Sequence, residues 1–209
     1  MHKKLFKSLF IIPFIALSLT ACSKEVKQQG TVEPASKQQK QEAKKEETTA
    51  KVFKENGMTK TPIFTNENLN VTGETGGIKY NYKGIQISEV KLESDEAAMT
   101  FDAEKNSTVV AVAFGTEFEN TNDKDVSFYP NLAKLITNTK QQVEPNGFLS
   151  DEVGGDFLGK VKKEGTVVYI LKNIKAKDLK TLEVRIDAPN DATTFESLGN
   201  EVKLNFEVK

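Results

Sequence analysis

Val109-Val110-Ala111-Val112-Ala113-Phe114 is apolar at every position. A strand running through it buries both faces, which places it in the middle of a sheet rather than at an edge. Thr166-Val167-Val168-Tyr169-Ile170-Leu171 is similarly β-prone. On either side the apolar residues alternate instead. Ile78, Tyr80 and Tyr82 alternate with polar neighbours, as do Leu182, Val184 and Ile186, and then Val202, Leu204, Phe206 and Val208. That period of two marks strands with one buried face. Residues 132–136 read as a further strand. Lys83-Gly84 reads as a turn, and the change of apolar phase between Ile87 and Val90 suggests a bulge or a strand changing partners. Asn120-Thr121-Asn122-Asp123-Lys124-Asp125, Glu144-Pro145-Asn146-Gly147 and Ala188-Pro189-Asn190-Asp191 carry turn chemistry. Short strands separated by such turns, with no long amphipathic helix, predict an all-β antiparallel β-sandwich.

This domain is expected to span residues 61–209, a length that buries roughly 68–70% of the extended surface. Residues 22–60 differ sharply. The run Gln38-Gln39-Lys40-Gln41-Glu42-Ala43-Lys44-Lys45-Glu46-Glu47 is polar and without aromatics, and Phe53 is the one aromatic residue of the stretch. Such a composition buries too little apolar surface to offset its ordering entropy, so a flexible tether is expected. Its typical span would be roughly 30–35 Å.

The amino end reads as a targeting segment. His2, Lys3, Lys4 and Lys7 precede an apolar stretch over residues 9–19, interrupted by Pro13 and Ser18. It is short of the about 20 residues that cross a bilayer but suits a signal peptide covering residues 1–21. It closes on Leu19-Thr20-Ala21-Cys22-Ser23, which resembles the bacterial lipobox. The resemblance implies a diacylglycerol thioether on Cys22, cleavage after Ala21, and anchoring at the extracellular face of the cell membrane. Two acyl chains anchor stably where one does not, at ~0.8 kcal/mol per buried methylene.

Composition removes most chemistries. Without residues 1–21 the chain loses three of its 29 basic residues and none of its 30 acidic ones, which leaves a formal charge of −4. Arg185 is its single arginine, so a nucleic-acid partner is not expected. The only histidine is His2 and the only cysteine is Cys22. Histidine- or cysteine-based nucleophilic sites are therefore not expected, nor are zinc or copper centres, which normally draw on those residues, and no glycine-rich phosphate-loop motif appears.

Three features in order carry a family resemblance: the strand of residues 109–118 running into Glu119-Asn120-Thr121-Asn122-Asp123-Lys124; Lys162-Lys163-Glu164-Gly165 before a strand; and Leu179-Lys180-Thr181-Leu182-Glu183-Val184. This order resembles the immunoglobulin-like domains related to immunoprotective extracellular antigens, which commonly follow a lipoprotein signal and a polar tether in Gram-positive bacteria. The resemblance implies an immunoglobulin-like sandwich over residues 76–209 and an extracellular location; it implies no catalytic residue.

Asp151-Glu152-Val153-Gly154-Gly155-Asp156 gathers three carboxylates and two glycines, oxygen ligands of the kind calcium takes, but the spacing is not that of a calcium loop with Gly at position 6 and Glu at position 12, and a solvated turn is the better reading. Residues 120–125 read as a hairpin loop with the same option. Tyr80, Tyr82 and Tyr129 are candidates for an aromatic platform, with strand packing as the default. Phe148, Phe157 and Leu158 are candidates for an apolar contact patch. The function expected is a surface-displayed binding module for an envelope protein, a peptide or a wall polymer. The alternative is a carboxylate-based cell-wall glycoside hydrolase, which needs two acidic residues about 5–10 Å apart.

Overall fold

The computed structural model describes residues 52–209; Cys22, the signal peptide and most of the expected tether lie outside the described residues. Strand β5 (Thr108–Asn120) is the axis of the molecule. It pairs antiparallel with β4 (Ile78–Leu92) on one side and β10 (Lys162–Leu171) on the other. The large sheet runs β1 (Phe53–Glu55), β2 (Met58–Asn66), β4, β5, β10, with β3 (Val71–Thr75) beside the first half of β4. A second sheet runs β13 (Val202–Glu207), β11 (Thr181–Ile186), β7 (Lys134–Thr137), β8 (Gln142–Val143). A small third one runs β12 (Asn190–Asp191), β6 (Val126–Phe128), β9 (Gly155–Phe157). The all-β, antiparallel class is the one the alternation predicts.

All three sheets contribute to one main core. Val110, Val112 and Phe114 of β5 meet Val126 and Phe157 of the small sheet and Leu135, Val184 and Phe206 of the second sheet. The other face of β5 is buried too. Val109, Ala111 and Ala113 pack with Val90, Leu92, Val168 and Ile170 in a separate core. That core is closed by helix α1 (Asp95–Thr100), Phe101 and Leu149. A helix this short is not stable alone. Ser94 caps it by accepting a hydrogen bond from the Ala97 N–H at 3.1 Å, and Ala97 with Phe101 docks it on the sheet.

The double cover explains two departures from expectation. Lys83-Gly84 is not a turn: β4 continues for 15 residues, and its register with β5 shifts between Tyr82 and Gly84. This bulge keeps Ile78, Tyr82, Ile85 and Ile87 all on the main core. After Ile87 the register of β4 with β5 is unbroken, and the irregularity there lies in the partner strand β2, between Pro62 and Phe64, opposite Ser88 and Ile87. Val90 and Leu92 lie on the opposite face, which is buried only at that end of the strand. Residues 130–132 form a 3-10 turn, and the strand expected over residues 132–136 is β7, which begins at Lys134.

Strand pairing begins at Phe53, ahead of Thr61, where composition places the start of the domain. The β1–β2 hairpin is polar in sequence, yet Met58 is 1% and Lys60 2% exposed. Burial pulls the Lys60 ammonium down to about 8. Below pH 8 the folded chain holds a charged ammonium at a cost. Between pH 8 and 10.5 only the unfolded chain still binds the proton, so stability rises across that window and levels off above it. Lys60→Met is therefore expected to stabilise the domain at pH 7 by at most about 3 kcal/mol. The gain should shrink by about that amount by pH 10.5, as denaturation of both chains across that range would show; an unchanged gain at high pH refutes the account.

Candidate binding groove

The loop between β8 and β9 folds back along β10. Asn146 is its keystone: its backbone N–H donates to the Val168 carbonyl at 2.7 Å, and its Oδ1 accepts from the N–H groups of Phe148 and Leu149 at 2.9 and 3.1 Å. Its Nδ2 donates to the Thr100 carbonyl at the end of α1, at 3.0 Å. One side chain thus joins loop, strand and helix. Beside it opens a groove of about 740 Å³, with Phe101 and Ile170 among its lining residues. Its polar wall is rich in carboxamides: Gln141, Gln142, Asn146 and Asn173. The Gln141 Nε2 donates to the Lys172 carbonyl at 2.7 Å, whereas Gln142 and Asn173 are exposed and make no side-chain hydrogen bond among the described residues. Lys172 bridges Asp102 at 2.8 Å. That hydrogen bond, with the Lys172 charge, holds the Asp102 carboxyl below its ordinary range.

Two large apolar side chains flank the groove in sequence and stand in solvent: Met99, 79% exposed on α1, and Phe148, 64% exposed. The Phe148 backbone is tied through Asn146, so its ring is presented on a fixed strut rather than a loose loop. Of the apolar residues singled out with it, Leu158 is also exposed, but Phe157 is fully buried in the main core.

The other candidates resolve differently. Tyr82 lies inside the main core with Phe114, Phe118 and Phe206 around it, Tyr80 is half-buried against that core, and Tyr129 is exposed. They form no common platform. In the acidic loop, Asp151 Oδ2 accepts the Thr166 N–H at 2.9 Å and Asp156 Oδ1 accepts the Ser127 hydroxyl at 2.6 Å. These carboxylates are tied to different strands, and no metal-like group of three or more such ligands occurs among the described residues. Residues 120–125 are not a hairpin loop, because β5 and β6 belong to different sheets. There Asn120, fully buried, donates to the carbonyls of Lys124 and Gly159, both at 2.8 Å, and its Oδ1 accepts the Asn122 N–H at 3.0 Å.

Asp102, Glu117, Asp191 and Glu201 all have carboxyls displaced below the ordinary range, by lysine partners or, for Asp191, by backbone N–H groups of Thr194 and Thr193. A glycosidase acid needs the opposite displacement. These four are thus suited to structure, not to proton donation.

No family model matches the chain. It is 30% identical over 168 residues to the SPbeta prophage-derived uncharacterized lipoprotein YonS of Bacillus subtilis (strain 168), a match covering 73% of this chain and 82% of that protein. A crystal structure of a functionally unknown protein from Listeria monocytogenes EGD-e superimposes with a TM-score of 0.52 at 12% identity. It covers 72% of this chain and 88% of that one, a likeness of fold.

Proposed function

Since the chain belongs to the family of the prophage-derived lipoprotein YonS, we propose that it is a lipid-anchored module that binds a partner at the outer face of the cell membrane. In this reading Cys22 carries the lipid, the polar stretch after it gives reach, and the sandwich presents the binding surface; the expected kinship with immunoglobulin-like antigen domains belongs to the same reading. The observation that carries the binding role is the groove beside Asn146, with free amides on its wall and two exposed apolar side chains, Met99 and Phe148, each two residues in sequence from a lining residue. Carboxamides donate and accept at once, which suits a peptide backbone or the hydroxyls and N-acyl groups of a wall glycan. A fixed exposed aromatic ring supplies apolar contact at little entropic cost.

A photo-crosslinking amino acid at position 148 of the full chain, in living cells, tests this. A recurrent envelope partner is expected, captured less when Gln142→Ala and Asn173→Ala are combined with Met99→Ala. Loss of an anchoring contact of this kind costs above about 1 kcal/mol, or roughly fivefold in affinity. A capture profile matching that of the same probe at Glu74, an exposed position on β3, would sink the groove as the binding site.

A further inference from the structure

Unpaired strand edges are where β-proteins join other chains, and folds usually block them. Most edges here are blocked. The outer side of β2 is covered by β1 over residues 58–60, and beyond that it carries Pro62 and a register shift. The outer edge of β10 is filled by the returning loop: the Thr166 carbonyl accepts the Asp151 N–H at 2.8 Å, and the Val168 N–H donates to Ser150 Oγ at 3.0 Å. β8, β9 and β12 are two or three residues long, and β3 is five residues long with Gly73 at its centre, which weakens it as a template. β13 is different. It ends its sheet, pairs in unbroken register with β11, and has no proline, bulge or inward charge. Among the described residues no strand pairs with its outer edge.

The sequence around that edge is Glu201-Val202-Lys203-Leu204-Asn205-Phe206-Glu207-Val208-Lys209. Laid antiparallel on a second copy about Asn205, it matches itself at every position. Glu201 faces Lys209, Lys203 faces Glu207, and Asn205 faces Asn205 on the solvent side. On the core side Val202 faces Val208 and Leu204 faces Phe206. The neighbouring registers that keep the buried face buried do not match. Centring on Leu204 sets Glu201 against Glu207, and centring on Phe206 sets Lys203 against Lys209. Directly opposed like charges are destabilising and opposite ones favourable, so charge selects one register. Within one chain Lys203 bridges Glu201 at 2.9 Å and Glu207 bridges Lys209, exposed pairs of low value that are cheaply exchanged.

We propose that β13 pairs with β13 of a second copy of this chain, antiparallel about Asn205, fusing two four-stranded sheets into one of eight strands. The interface is narrow, well short of the about 1,200 Å² of a standard stable one, so the pairing is weak in dilute solution. Confinement to one membrane, which rests on the lipid-anchor reading, raises the local concentration enough to populate it.

The test is a cysteine at the two-fold. Asn205→Cys in the full membrane-borne chain places two thiols on directly opposed positions, about 4.5–5.5 Å apart at Cβ. A disulfide-linked dimer is expected, at least about fivefold above both the unsubstituted chain and Lys91→Cys on β4. In that background Lys203→Glu or Glu207→Lys should each cut the dimer severalfold, and the two together should restore it, because the opposed charges are merely swapped. No dimer above the controls, or no restoration by the double reversal, overturns the proposal; so does cross-linking of position 205 to a different protein alone. Loss of membrane attachment with the dimer intact in concentrated solution would count against the anchor and leave the pairing standing.

Discussion

Replacing Phe114 by alanine is expected to destabilise the domain by about 3–5 kcal/mol, a large share of the 5–15 kcal/mol that holds most domains together. Phe114 is fully buried midway along β5. Its ring meets Tyr82 edge-on at 5.4 Å and Tyr169 at 6.2 Å within the large sheet, and Phe206 of the facing sheet at 4.9 Å. With Tyr82, which also meets Phe206, at 5.6 Å, it ties the two sheets, and alanine leaves a cavity that four strands border. Phe114→Leu keeps most of the volume and should lose clearly less. Chemical denaturation of the three chains decides the matter: a loss under about 1 kcal/mol for the alanine would mean that the sheets do not pack through this ring.

The second large effect concerns location. Cys22→Ala is expected to move the protein from the membrane fraction to the medium, or to leave an unprocessed precursor with its signal attached. Two acyl chains of ordinary length contribute far more than the affinity needed for lasting attachment. Among the described residues no helix is long and apolar enough to cross a membrane. Metabolic labelling with a fatty acid, followed by fractionation, reads both halves of the claim. A Cys22→Ala chain that stays lipid-labelled and membrane-bound would refute the anchor.

The site was legible only in part. Phe148 stands out as an apolar residue in a loop, and it is exposed as a contact residue must be. Phe157 looks the same in sequence and is core, because β9 pairs with β6 and turns its ring inward. Gln142 and Asn173 give no signal at all: surface amides are common, and only their convergence on one groove sets them apart. The self-matching of residues 201–209 is written in the sequence, but it means nothing until that strand is known to lie at an edge.

Local chemistry therefore determined what depends on local chemistry. The period of two and the doubly apolar run at 109–114 identify strands and a central strand, because the pleat alone decides which residues share a face. Tertiary structure alone decided whether Gly84 turns the chain or bulges it, since either conformation suits glycine and the choice depends on β5 continuing alongside. It also decided that Lys60 is buried, that Asn120 is a clamp rather than a hairpin residue, and which edge stays open. Each of these depends on what lies across a gap from residues distant in the chain, and no property of the residue itself carries that information.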